Sequence, residues 1–476
     1  MENEIWVVDL DHTLVRTDTG VEGVIKFLRV KPVRALLAIL LFFKKGLGPF
    51  KEQVCKQAKI NVALLPYRWK LIDLLKESKA KGHRLVLCTA SHQITADAVA
   101  QHLQIFDDVI ATRTQNVKGA AKAHAIRAFI GERPFLYWGD SEADFQVWKD
   151  CARVGVVNPN KEKVERLLEN RIADQVLIFR DPPVPRNVFI RAIRLHQWSK
   201  NLLVFLPILG AHLLLDGEAL LMGLLGAIAF SFVASGIYIL NDLSDIESDR
   251  SHETKKNRPF ANGDIAIEQG LILAALFLVG GFILCAVLPE SFLLVLAGYF
   301  ALTCLYSFWL KKYALLDVVL LALLYSCRVF GGGAAASVAI SEWLFVFSFF
   351  FFFSLAFVKR YTELRNYANL PGRGYRPEDK QTVFTLGIGS GLISVLVFSL
   401  FIFAPSVAAQ YPRSGYLGIG VPLLFFWISR IWFLAARGEM LEDPVVFALK
   451  DRVSYGIGLA FLIILLFAGG PFLRGD

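Results

Sequence analysis

Apolar residues follow two regimes along this chain. Up to about residue 200 they come in short runs set among polar, helix-like stretches. Ile5–Val8, Arg84–Cys88 and Phe135–Trp138 are continuous and apolar enough for strands buried on both faces, which predicts an α/β domain with a parallel sheet. Between the first two strands, Val24 to Phe50 and Gln53 to Ser78 read as helices. That stretch is too long for a simple loop, so a small helical cap is expected at about 20–80. Beyond residue 200, long apolar runs fall near 202–215, 218–240, 267–288, 291–310, 315–338, 343–358, 382–404, 415–436 and 453–470. Most reach the roughly 20 residues that cross a bilayer, and the first is short. The expectation is an all-α polytopic membrane domain of about nine transmembrane helices over 191–476. It follows an α/β domain over 1–180 and a Pro-rich linker at 181–190.

Charge refines this picture. Of 476 residues, 55% are hydrophobic and the net charge is +9. In the second half nearly all Lys and Arg lie in the turns 241–266, 311–314, 359–381 and 437–452, which predicts that these turns share the cytoplasmic side of a bacterial-type inner membrane with the first domain and leaves the C-terminus outside. No basic stripe with interleaved aromatics is present, so no nucleic acid is expected as partner. The six cysteines are scattered without a C-x-x-C pair, which argues against a zinc site or a disulfide framework. Met1-Glu-Asn-Glu lacks the basic start and apolar core of a secretory signal. Ala35–Phe43 is apolar but too short to span; flanked by Lys31, Arg34, Lys44 and Lys45, it suits either the membrane surface or the cap core. A homo-oligomer is compatible with the sequence, which fixes no assembly state.

The chemistry concentrates in Asn241-Asp-Leu-Ser-Asp-Ile-Glu-Ser-Asp249, directly after an apolar run. Asp242, Asp245 and Asp249 fall at i, i+3 and i+7, one face of a helix. Carboxylates so crowded call for a hard cation, and Mg²⁺ commonly bridges carboxylates to substrate phosphates. Lys255 and Arg258 follow closely, where cations would meet the remaining phosphate oxygens. This pairing resembles the UbiA superfamily of intramembrane prenyltransferases, whose first motif is Asn-Asp-x-x-Asp-x-x-x-Asp followed by a basic Arg-Pro turn. Gln197-Trp-Ser-Lys200-Asn resembles the entry segment of the decaprenyl-phosphate phosphoribosyltransferase branch, which implies that Lys200 lies near substrate phosphate. Lys359-Arg360-Tyr361-Thr-Glu363 stands where many family members carry a second aspartate cluster and is similar to that same branch. Asp317 and Arg328 share a face of one run; an Arg at that depth needs a partner or a wet cavity, so Arg328 is a site candidate.

The first domain has its own motif set. Ile5–Val8 runs into Asp9-Leu-Asp11-His-Thr, which resembles the first motif of the haloacid dehalogenase (HAD) superfamily of phosphohydrolases. The resemblance implies a Rossmann-like fold, with Asp9 as nucleophile, Asp11 as general acid/base, Thr89 and Ala90 at the phosphoryl oxygens and Lys118 neutralising their charge, Lys122 being the weaker candidate. Asp9, Asp11, Asp140 and Asp144 would hold Mg²⁺. Together the two resemblances imply a fused enzyme. The membrane domain would transfer 5-phosphoribosyl from phosphoribosyl diphosphate to a polyprenyl phosphate, with Mg²⁺ on Asp242, Asp245 and Asp249, and the HAD domain would remove the 5-phosphate from that lipid. Two alternatives stay open: a prenyltransferase acting on an aromatic or other acceptor with an accessory phosphatase, and a non-catalytic lipid-binding scaffold.

Overall fold

The structure is a computed structural model that describes residues 4–113, 116–160, 162, 176–366, 373–405, 407, 411–440 and 443–469. The chain divides into two compact units: 1–193 with 238–273, and 194–237 with 274–476.

The first unit is built on a six-stranded, all-parallel sheet: β1 (Ile5–Val8), β2 (Arg84–His92), β3 (Asp108–Thr112), β4 (Phe135–Gly139), β5 (Arg153–Val157) and β6 (Val176–Phe179), in the order β3-β2-β1-β4-β5-β6. Successive side chains of a strand point to opposite faces. Trp6, Val8, Leu87, Leu136 and Trp138 therefore enter one core, while Ile5, Val7, Val86, Phe135 and Tyr137 enter the other. β1 lies between β2 and β4 in register, so its C-terminal end opens at the centre of the sheet, where such sheets place ligands.

The cap follows β1, but the two long helices expected at 24–50 and 53–78 are four: α1 (Thr19–Val30), α2 (Pro32–Lys45), α3 (Leu47–Ala58) and α4 (Trp69–Ala80). The breaks have local causes. Pro32 takes the first turn of α2, where its missing N–H is no loss. Gly46 sits at φ +81, a left-handed conformation that ends the helix. Pro66 lies in the irregular stretch before α4. Two helices flank the sheet further on, α5 (Gln93–Leu103) and α6 (Ala120–Ile130).

Among the described residues eight helices are long and apolar enough to cross a membrane. They are α7 (Gly217–Ser244), α8 (Ile267–Ile283), α9 (Glu290–Phe308), α10 (Leu316–Ala335), α11 (Glu342–Asn366), α12 (Lys380–Ile402), α13 (Gly420–Arg437) and α14 (Arg452–Gly469). The chain is thus an integral membrane protein. The short run expected at 202–215 forms a tight helical stretch, Leu195–Phe205, and one further turn, Leu206–Gly210. The main body of the second unit is a core of Val318, Ala322, Phe352, Phe357, Ile431, Trp432 and their neighbours on α10, α11 and α13. α10 carries Gly331-Gly332-Gly333, and a Cβ built on Gly332 would lie 1.9 Å from the Val204 carbonyl oxygen. Small residues permit such close backbone approach in membranes, and it sets the 195–205 stretch against α10. Gly332→Ala is expected to lower the thermal unfolding temperature in detergent, at an overpacking cost of about 1–3 kcal/mol. Gly298→Ala on α9, where nothing lies within 4 Å, is expected to leave it unchanged.

Candidate active sites

The first site forms at the end of β1. Asp9 is buried and accepts a hydrogen bond from Lys122 Nζ at 2.7 Å; Lys122 also donates to Tyr137 Oη at 2.9 Å and lies 3.5 Å from Asp144. Tyr137 donates to Asp144 at 2.7 Å, and the Asp140 and Ser141 amides and the Ser141 hydroxyl close on its other oxygen. Oxygens of Asp9, Asp140 and Asp144 lie within 4.8 Å of one another, an all-oxygen set that suits a hard cation. Burial pushes the Asp9 carboxyl up to about 7, and Lys122 opposes that rise without cancelling it. Burial also raises Asp144, but Lys122, Ser141 and Tyr137 outweigh it and leave that group low. Asp9, Asp140 and Asp144 would together hold a divalent cation beside Lys122.

Two expectations change here. Lys122, on the first turn of α6, is the cation at Asp9, while Lys118 is exposed on the preceding turn. The reason is Gly119, whose φ of +59 turns the chain so that α6 begins after it and aims Lys122 inward. Asp11 does not join the acidic trio. Its two oxygens accept from the Thr19 amide (2.8 Å) and hydroxyl (2.7 Å) and from the Ser91 hydroxyl (2.6 Å). Thr89, fully buried, accepts from the Ser91 amide, and the Ala90 carbonyl accepts from Lys51 Nζ at 2.7 Å. Ser91 is thus the polar contact at Asp11 that sequence reasoning passed over, although it lies in the same Thr-Ala-Ser triplet. His12, Asp18 and Glu268 also cluster, and the Glu268 carboxylate facing the His12 imidazole raises His12 to about 9.

The Asp-rich turn belongs to the first unit by packing. Asp242 and Asp249 are buried and converge on one group: Arg258 reaches them at 3.0 and 2.7 Å. Burial raises Asp249, and Arg258 opposes it. Asp245 does not point to that group; its carboxylate meets Arg29 of α1 at 2.7 Å. The single helical face expected for the three carboxylates is interrupted, because α7 ends at Ser244 and a new short helix, Ile246–Arg250, starts after Asp245. Two buried carboxylates sharing a partly exposed guanidinium are an all-oxygen pair of the kind that would suit a hard cation were Arg258 to move away. Lys255 is exposed beside them. The Asn241 carbonyl accepts from the Asp245 amide at 2.9 Å.

α1 holds this turn by further pairs. Glu22 binds Arg250 through both oxygens, at 2.8 and 3.1 Å, with both side chains buried. Lys26 pairs with Glu247, and Arg29 also donates to the Ser244 carbonyl at 2.7 Å.

The second unit gathers cations around an acid that sequence reasoning missed. Asp443 accepts from Lys200 Nζ at 2.8 Å, from Lys359 Nζ at 3.4 Å and from the Tyr325 hydroxyl at 3.0 Å. These cations hold its carboxyl far below the ordinary range against the opposing effect of burial. The available signal was an Asp-Pro pair in a charged turn; Asp443 caps the short helix Pro444–Ala448. Arg328 donates to Asn201 at 2.8 Å and Tyr299 at 3.0 Å, and Asn201 donates to Ser231 at 2.7 Å.

Two expected phosphate ligands lie elsewhere. Arg360 is wholly buried, 2.6 Å from Asp317, which also accepts from Tyr375 at 2.6 Å; Glu363 pairs with Arg360 and Arg373. Tyr361 packs against Phe384 and Trp432. Helical spacing explains this: Lys359 faces Asp443, and the next two residues turn into the α10–α12–α13 packing. Asp317 is therefore the partner of Arg360, and Arg328 is held by neutral groups. An apolar cavity of about 850 Å³ lies in this unit, lined in part by Leu203, Phe347, Phe352, Trp427, Val445 and Phe461.

Comparison with known proteins gives the following. The UbiA prenyltransferase family matches residues 203–450, and the haloacid dehalogenase-like hydrolases match residues 7–149. Protein y4nM of Sinorhizobium fredii, described as uncharacterized, is 34% identical over 459 residues, 95% of this chain and 88% of that one. Decaprenyl-phosphate phosphoribosyltransferase of Mycolicibacterium smegmatis is 34% identical over 298 residues, 58% of this chain and 92% of that one. Nodulation protein NoeC of Azorhizobium caulinodans is 32% identical over 294 residues, 59% and 94% of the two chains. A solved UbiA homolog from Archaeoglobus fulgidus, bound to GPP and Mg²⁺, has 15% identity and a TM-score of 0.48, covering 59% of this chain and 99% of that one.

Glu22→Ala leaves Arg250 buried without its counter-charge, and a loss of about 3–5 kcal/mol is expected in unfolding of the detergent-solubilised chain. Lys26→Ala, which removes a half-exposed pair, is expected to cost less than about 1 kcal/mol. Equal losses would show that the Glu22 pair does not anchor the turn.

Proposed function

We propose that this chain, which belongs to the UbiA prenyltransferase family and carries a haloacid dehalogenase-like domain, transfers a 5-phosphoribosyl group from phosphoribosyl diphosphate to a polyprenyl phosphate. The observation that carries this reading is the separation of two phosphate-binding chemistries. Asp242 and Asp249 form one acidic pair, and Lys200 and Lys359 meet at Asp443, with no second aspartate cluster beside them among the described residues. One metal-bound diphosphate and one cation-bound monophosphate are what such a pair of sites suits. The relatives named decaprenyl-phosphate phosphoribosyltransferase support the same reading.

In the reaction, the bond from the anomeric carbon to the diphosphate oxygen breaks and a bond to the polyprenyl phosphate oxygen forms. Asp242 and Asp249 would hold Mg²⁺, which when bound would supply Lewis-acid stabilisation of the departing diphosphate. Arg258 and Lys255 carry part of the charge that develops on the leaving group. Lys200 and Lys359 hold the acceptor phosphate, and the apolar cavity takes polyprenyl chain. The Asp-rich turn and the first domain are read as cytoplasmic, from the Lys and Arg of the turns. The HAD domain then removes the 5-phosphate of the product: Asp9 attacks phosphorus to form an aspartyl phosphate while Asp11 protonates the leaving ribose oxygen. Water activated by Asp11 then hydrolyses the aspartyl phosphate to release phosphate and restore Asp9, and Lys122 balances the phosphoryl charge.

The purified protein, given labelled phosphoribosyl diphosphate and polyprenyl phosphate with Mg²⁺, is expected to form labelled lipid. Asp242→Asn should slow this on the order of 100-fold. Turnover only with a prenyl diphosphate and an aromatic acceptor would replace this reading with the prenyltransferase one. In the same assay Asp9→Asn should leave the 5-phosphate on the lipid, and Lys122→Ala should impair its release far more than Lys118→Ala. Full phosphate release by Asp9→Asn would remove the phosphatase step.

A further inference from the structure

The cap helix α2 is amphipathic in the reverse of the usual sense. Its inward contacts are made by Ala35 and Ala38, which pack with Phe27, Val54 and Ala58. Its large apolar residues face out: Val33 is 70% exposed, Leu36 57%, Leu37 53% and Leu40 65%, and Val30 at the end of α1 is 55% exposed. These positions follow i, i+3, i+4, i+7 spacing and form one continuous stripe. A water-facing helix buries its leucines and exposes its small residues, so an exposed stripe of this kind marks a surface that another phase or molecule covers.

Two observations identify what covers it. Between Val24 and Phe50 the chain has Lys26, Arg29, Lys31, Arg34, Lys44 and Lys45 and no Asp or Glu. An apolar stripe within a purely cationic stretch matches an anionic lipid surface, which attracts basic side chains by about 1 kcal/mol each and accepts the apolar face into the headgroup boundary. In addition, α1, the partner of α2 in the cap, is tied to the turn between the membrane-spanning helices α7 and α8 by Glu22–Arg250, Arg29–Asp245 and Lys26–Glu247. That turn lies between two spans and so at a membrane surface, which brings the hairpin of α1 and α2 within reach of lipid.

We infer that α2 docks in the plane of the bilayer, with Val33, Leu36, Leu37 and Leu40 inserted at the headgroup boundary of an anionic leaflet. The cap of the first domain is then a peripheral membrane anchor in its own right. This holds whichever reaction the two sites perform.

Photo-crosslinking of the full-length chain tests it. Benzoylphenylalanine is placed at position 36, at position 40 as a second probe should the first variant fail to express, and at exposed Lys76 on α4 as control. In nanodiscs of phosphatidylglycerol and phosphatidylcholine, irradiation is expected to give lipid adducts at 36 and 40 several-fold above those at 76, falling when phosphatidylglycerol is omitted. Crosslinks to a second copy of the chain would overturn the inference in favour of a dimer interface. Lipid adducts no more frequent at 36 and 40 than at 76 would overturn it outright.

Discussion

A charge taken out of water is costly without an opposite charge, and this constraint organises the buried acids of the molecule. An uncompensated buried ion costs several kcal/mol even after relaxation. Each buried acid described above accordingly has its cation: Asp9 with Lys122, Glu22 with Arg250, Asp242 and Asp249 with Arg258, Asp317 with Arg360, Asp443 with Lys200. The pairs differ in one informative way. In Glu22–Arg250 and Asp317–Arg360 both partners are buried, and no substrate has access. In the Asp242–Asp249–Arg258 group the cation is about 29% exposed, and Lys359 at Asp443 is about 32% exposed. A cation with one side open can exchange its partner for a phosphate at little cost, whereas an enclosed one cannot. The first kind fixes the fold, and the second is where chemistry is read.

The interruption of the acidic motif is a consequence of the same constraint. Asp245 stands where α7 ends, and its charge is met by Arg29 from the cap helix. The cap is thereby joined to the motif of the membrane domain by ionic contacts, two of which leave polar atoms of the partners accessible. The fusion of a haloacid dehalogenase-like domain to a UbiA domain is thus more than a covalent tether: the turn that carries the transferase motif packs with the first domain.

Much of this was legible in the sequence. Continuous apolar runs ending in Asp9, Thr89 and Asp140 located three strand ends, because parallel strands bury both faces. The long runs beyond residue 200 located the membrane helices, because the bilayer sets their length. What spacing alone missed depends on where side chains point. Lys118 and Lys122 are equally basic, and only the turn at Gly119 decides which one meets Asp9. Arg360 and Tyr361 follow Lys359 directly, yet successive helical residues lie about 100° apart, so the three cannot share one site. Asp443 lies far in sequence from Lys200 and Lys359, and no local pattern ties an acid to cations 243 and 84 residues away.

In the proposed reaction Asp242 and Asp249 hold a metal on the leaving diphosphate while Arg258 serves phosphate. This is tested most directly by a structure of the chain with Mn²⁺ and phosphoribosyl diphosphate, with the metal located by anomalous scattering. The metal is expected to be bonded to Asp242 and Asp249 and to diphosphate oxygens, with Arg258 moved from the carboxylates to the diphosphate. Diphosphate bound with no metal at these residues, or Arg258 still holding both carboxylates, would contradict it.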